Sequence, residues 1–276
     1  MEVMIADQSD MVRDMFLSAF ANAHGAQMEF ETDEDGRTHH AREVIRLEKS
    51  RIDLLARIEH FRDQGEALHT IGQHLLIVDN RPDQAAKYLQ KARDVGAAHG
   101  FFSVECRACV DLGKIAIQEG RQEEGLDLYR NALAAAPLVE ADEGLYELNV
   151  LGPLVEALLT KGGGDALEEV APLIPRFREA ARAESRREVM ANGCCHQELL
   201  SYTCSARLLE LRGQPEEAAE EVRALLALVR EHKAAVQAMA ASVRGAVLYA
   251  VQMLESLETL VLEELFDLCK LLSCIS

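Results

Sequence analysis

Apolar residues fall at helical spacing along most of the chain, and runs of Val, Ile, Thr and Tyr hardly occur. Met11, Met15, Phe16 and Phe20 share one face of a first predicted helix. Ser9 or Asp10 would cap its start, and His24-Gly25 would stop it after about Asn22. Gln27 to Arg37 reads as an acidic loop holding Glu29, Glu31, Asp33, Glu34 and Asp35. Thr38 then caps a long helix over about His39 to Arg62, ended by Gly65. Beyond it the helical runs come in pairs, each pair divided by a short turn.

The pairs share a spacing. Between Ala108 and Pro137 it reads Leu112-Gly113, Ala116, Gly120, Gly125, Tyr129, Ala132 and Pro137. Gly113 on one helix, with Gly125 and Ala132 on the next, would let two backbones approach closely while Tyr129 fills the gap beside them. Gly120 fits the turn and Pro137 the stop. The pattern returns at Ile71-Gly72, Leu75, Ala85, Leu89 and Ala92. It returns again at Leu151-Gly152, Val155, Ala166, Val170 and Leu173, and at Cys204-Ser205, Leu208, Gly213, Ala218, Val222 and Leu225. Only the turn changes length. This spacing resembles the tetratricopeptide repeat, a helix-turn-helix unit with small residues where its helices cross. The resemblance implies an all-α fold, a right-handed solenoid of about five stacked antiparallel helix pairs. Gly72 and Gly113 stand 41 residues apart, and Gly113 and Gly152 stand 39 apart. The standard repeat is about 34 residues, so this is a longer-repeat variant. The gap from Gly152 to Ser205 is 53. An extended second helix is expected there, with Pro172 and Pro175 bending or interrupting its early part.

These readings divide the chain into an N-terminal helix and acidic loop (1–37), a helical array (38–256) and an apolar C-terminal helix (257–276). In the last segment Leu257, Leu260, Val261, Leu265, Phe266 and Leu271 cover more than one helix face. A cap over the final repeat is the first reading of it. A partner or self-association surface is the second.

Composition narrows the function classes. The 276 residues are 49% apolar and 28% charged, ordinary for a globular chain, and the net charge is -18. Such a surface repels phosphate backbones and anionic lipid headgroups, which argues against nucleic acid and membrane as partners. No stretch is apolar enough to span a bilayer, since acids interrupt Leu257 to Ile275. Met1 to Asp10 lacks the basic start of a signal peptide. Seven scattered cysteines do not make a disulfide framework, which points to a reducing cytoplasmic setting. Cys274 stands third from the end, not fourth, so the terminus is not a prenylation box.

Apparent chemical motifs fail on geometry. Glu31, Asp33, Asp35 and Gly36 match half of a calcium loop, but its twelfth position is Arg42, with Glu43 one place late. Cys106 and Cys109 have no second ligand pair at zinc spacing and fall on an expected repeat helix, where core packing is the simpler role. The neighbours Cys194 and Cys195, beside His196, would point about 100° apart on a helix, as would His39 and His40. No phosphate loop, dinucleotide turn or nucleophile elbow is present. No catalytic residue, metal site or cofactor is therefore expected.

A protein partner remains. By resemblance, the groove of such an array is lined by positions three before and one after each small first-helix residue. They are His69 and Gln73, Val110 and Lys114, Asn149 and Pro153, and Tyr202 and Ala206. Arg107 lies one turn from Val110. His69, Gln73, Arg107, Lys114, Asn149 and Tyr202 supply polar groups for a peptide or partner helix. The Lys and Asn clamp that some family members use for a chaperone terminus is not reproduced, since only Lys114 matches it. The alternative is a structural subunit buried in a large multiprotein assembly.

Overall fold

The computed structural model describes residues 2–139, 143–187 and 192–242. The regular elements among them are ten α-helices and one 3-10 turn. The chain forms two compact units, Met1–Leu154 and Val155–Ser276. In the first, α1 (Glu2–Phe30), α2 (Glu34–Arg57), α3 (Phe61–Ile77), α4 (Pro82–His99), α5 (Phe102–Gln118) and α6 (Gln122–Ala135) each pack on the next in sequence. The 3-10 turn Ala136–Leu138 and the first part of α7 (Glu143–Lys161) follow. The second unit holds the rest of α7, then α8 (Gly164–Arg187), α9 (Asn192–Leu211) and α10 (Pro215–Ser242), with α9 packed on both α8 and α10.

The helix ends follow local chemistry. Asp33 caps α2, its carboxylate accepting the Gly36 N–H at 3.0 Å. Pro82 opens α4, where its missing N–H costs nothing. A recurring turn closes α2, α4, α5 and α9. The N–H of His60, Phe101, Arg121 and Gln214 each donates to the carbonyl five residues back. Within the α5–α6 turn Gly120 has φ 79, the left-handed backbone that glycine adopts without strain.

The small residues are where helices touch. A methyl group built on Gly113 would lie 2.5 Å from Tyr129 Cε1, and one on Gly72 would lie 2.6 Å from Leu89 Cγ. One on Gly125 would meet Ile117 at 2.6 Å and the Gly113 carbonyl oxygen at 3.0 Å. Ala85, Leu89, Ala92, Ala116, Tyr129 and Ala132 are buried around these contacts. In α8 the buried row is Ala166, Val170, Ile174, Phe177 and Ala181, so Ile174 takes the inward place expected for Leu173.

Several expected boundaries move. The helix expected to stop at Gly25 runs on to Phe30, and the acidic loop shrinks to the short link between α1 and α2. Nothing lies within 4 Å of a methyl at Gly25, so that glycine sits in an open helix face. The second helix starts at Glu34, capped by Asp33 rather than Thr38. Gly65, read as a stop, lies inside α3, where an added methyl would meet Val104 Cγ1 at 3.0 Å. Pro172 and Pro175 lie within the continuous α8. Both are exposed, so water reaches the carbonyls they leave without a helical donor. The apolar face of α1 points outward: Met15, Phe16 and Phe20 are 68%, 63% and 58% exposed, while Ala21 is buried. The expected C-terminal helix, 257–276, lies outside the described residues, as do the side chains of Cys194 and Cys195.

Candidate functional site

Four of the six proposed groove residues meet across α3 and α5. Helical spacing puts Glu66, His69 and Gln73 on one face of α3, and Arg107, Asp111 and Lys114 on the facing side of α5. Asp111 is their hub. One carboxylate oxygen accepts His69 Nε2–H at 3.1 Å and Gln73 Nε2 at 3.2 Å, and the other accepts Lys114 Nζ at 3.0 Å. An ionised carboxylate only accepts, so this bond fixes the His69 proton on Nε2. Burial works to raise the Asp111 carboxyl, but the His69 hydrogen bond and the Lys114 charge outweigh it and hold the group below its ordinary value. Beside the hub, Arg107 is paired with Glu66 and donates to the Ser103 carbonyl at 3.3 Å.

The residues differ in access. His69 is 1% exposed and acts inward, positioning Asp111. The Lys114 and Arg107 side chains are 46% and 34% exposed, and Gln73 is half-buried. Val110 and Ala206 are buried, Pro153 is half-buried and Asn149 is exposed on α7. Tyr202, in the second unit, is closed in. It packs with Leu199, Leu225 and Val229, its ring lies under the Arg178 guanidinium at 3.9 Å, and its hydroxyl accepts from Arg182. Arg178 in turn holds Glu221 at 2.7 Å, and Arg182 holds Glu198 at 3.0 Å. Arg178, Arg182 and Glu221 edge a pocket of about 600 Å³ that also includes Pro175 and Ser205.

Sequence reasoning passed over Asp111. The signal was an acid inside the otherwise uncharged stretch from Ala108 to Gly113, two residues before Gly113. A charge there must find partners or pay for its burial. Its replacement gives a measurable effect. A depressed carboxyl contributes stability above the ordinary Asp value of about 3.9, and that contribution is lost as pH falls through the lower folded value. Asp111→Asn should lose about 1–3 kcal/mol at pH 7. Urea midpoints followed from pH 7 to 3 should show the gap between wild type and variant closing below pH about 4.

The other motifs remain structural. Cys106 and Cys109 are free and buried, and burial pushes their thiols up to about 12 and about 11. Cys106 Sγ donates to the Ala132 carbonyl at 3.5 Å, across the α5–α6 contact. The half-matched calcium loop is used by the backbone, with Asp33 capping α2 and Glu31 accepting the Asp33 N–H at 3.1 Å. Among the described residues no helix is long and apolar enough to cross a membrane.

Comparison with known proteins bears on the fold. No protein-family model matches the sequence, and no curated protein matches it. Solved structures do. A putative kinesin light chain from Podosopora anserina, described by its nearly identical TPR-like repeats, superposes with a TM-score of 0.54 at 14% identity. The match covers 84% of this chain and 99% of that one. A single-substitution form of that protein gives 0.56 at 15% identity, over 80% and 97%. The chain has the tetratricopeptide-type helical-repeat fold. BtubC (BKLC) from P. vanneervenii matches at 0.50 and 13% identity, over 81% of this chain and 92% of that one.

Proposed function

We propose that this chain is a protein-interaction scaffold that holds an extended peptide or a partner helix against the face shared by α3 and α5. The observation that carries the reading is the Asp111 hub. A rigid, buried carboxylate fixes Lys114 and Gln73 at the rim of a helix-pair stack, with Arg107 one turn away. Side chains held in place this way bind with less ordering cost than free ones. Helix-pair arrays commonly offer such faces to peptides. Asn149 extends the candidate surface along α7, and Tyr202 is a separate packed anchor within the second unit. The role is binding, not catalysis, in a reducing compartment inside the cell, with protein partners and no nucleic acid.

The second reading is a structural subunit of a larger assembly. The outward apolar face of α1 favours it, since exposed patches of this kind mark interfaces. Sedimentation of the isolated chain separates the two. A scaffold with a peptide groove stays monomeric, and a subunit stripped of its neighbours self-associates. For the first reading the test is capture from native extract by crosslinking, with wild type and Lys114→Glu in parallel. The expected result is loss of specific partners in the variant. An unchanged partner spectrum rejects the groove.

A further inference from the structure

A cluster of three histidines sits at the contact of α1 and α2, away from the proposed groove. His24 of α1 and His40 of α2 bring their Nδ1 atoms to 3.0 Å. The ring centroid of His39 lies 5.5 Å from that of His40 and 6.5 Å from that of His24. His39 and His40 are adjacent and diverge on their own helix, so neither completes a site with the other alone. The α1–α2 packing changes this by delivering His24 beside both, fifteen residues upstream of His39 in sequence.

The Nδ1 contact has the dimensions of a chelate. A hydrogen bond between two imidazole nitrogens uses one lone pair and one proton. When an ion replaces that proton, both lone pairs point at it. With metal–nitrogen bonds of about 2.0–2.1 Å, two nitrogens on one ion stand roughly 3.0–3.4 Å apart. The His24–His40 separation lies at the lower edge of that range. Imidazole selects zinc, copper and nickel over calcium and magnesium. Glu43, about one turn after His39 and His40, is paired with Arg46 at 2.8 Å and takes no part in the site.

We propose that His24 and His40 form a chelating clasp for a divalent late-transition-metal ion of the zinc class, with His39 as third ligand and water completing the shell. Among the described residues no three ligating side chains already converge on a metal position. The third bond therefore needs the His39 ring to turn about its side-chain torsions. His39 is exposed, so the turn disturbs no core. An ion held there bridges α1 to α2 and fixes the helix that carries the outward apolar face.

The test uses Zn²⁺ on the full chain, by titration calorimetry and thermal unfolding. The expected result is one tight site per chain and a rise in Tm on adding Zn²⁺. His24→Gln and His40→Gln should each weaken binding at least tenfold and abolish the Tm shift. His39→Gln should weaken it less, and His196→Gln, beside the other cysteine–histidine cluster, should leave it unchanged. Co²⁺ substitution gives a second readout, since its visible spectrum reports nitrogen ligation directly. Should His40→Gln fail to fold, His24→Gln alone carries the test. Absence of Zn²⁺ binding overturns the proposal, as does binding that survives His24→Gln.

Discussion

Replacing Arg51 with alanine should cost this protein about 3–5 kcal/mol, the range for breaking a buried ion pair from one side. Arg51 links two carboxylates, Asp14 of α1 and Glu48 of its own helix, each at 2.8 Å. The three side chains are 10%, 14% and 6% exposed. Alanine would leave both carboxylates desolvated without a cation. Burial already raises the Glu48 carboxyl above its ordinary value, against the opposing pull of Arg51. A raised carboxyl contributes stability at low pH, and that contribution is lost as pH rises through the folded value. The deficit of Arg51→Ala should therefore shrink as pH falls from 7 toward the ordinary Glu value of about 4.3. Urea unfolding followed by circular dichroism at several pH values measures both effects. A loss under about 1 kcal/mol at pH 7 would show the triad to be solvated.

Gly113→Val should be the other severe substitution, at about 2–3 kcal/mol. Its Cβ would lie 2.5 Å from the Tyr129 ring before any γ-methyl is counted. Tyr129 is 3% exposed, and a methyl built on the adjoining Gly125 would lie 3.0 Å from the Gly113 carbonyl oxygen. Gly25→Ala provides the contrast. It is also a glycine within a helix, but with nothing within 4 Å of the new methyl. There helix propensity acts alone, and stability should rise by about 0.5–1 kcal/mol. Thermal unfolding of the two variants beside wild type gives the signs. Equal effects would mean that the small residues do not set the helix spacing.

These two sites show what the sequence made legible. Gly113, Gly125, Tyr129 and Ala132 were readable because close approach restricts residue size at fixed spacing. The Asp14–Arg51–Glu48 triad was not readable, because partners 37 residues apart carry no local signature. Asp111 carried a local signal, an acid among apolar neighbours, but its partners His69 and Gln73 come from another helix and were not readable. Glycine and proline misled where their local meaning was overridden. Gly65 serves a close contact with Val104, Gly25 is tolerated in an open face, and Pro172 and Pro175 face water within an unbroken helix. The groove residues were placed by resemblance, and four of the six meet on α3 and α5. The burial of His69 and Tyr202 was beyond reach, since both hydrogen-bond side chains that the spacing rule does not consider.

The proposed scaffold role turns on which face the partners touch. The direct measurement is the affinity of a partner captured by the wild-type chain for two charge reversals. Lys114→Glu alters the rim of the proposed groove, and Lys87→Glu alters an exposed position on α4. Binding should be at least tenfold weaker for Lys114→Glu and change within about twofold for Lys87→Glu, because a reversed charge at a contact costs more than about 1.4 kcal/mol and one away from it costs little. Full affinity in Lys114→Glu, with binding lost in Lys87→Glu, would contradict the proposed groove.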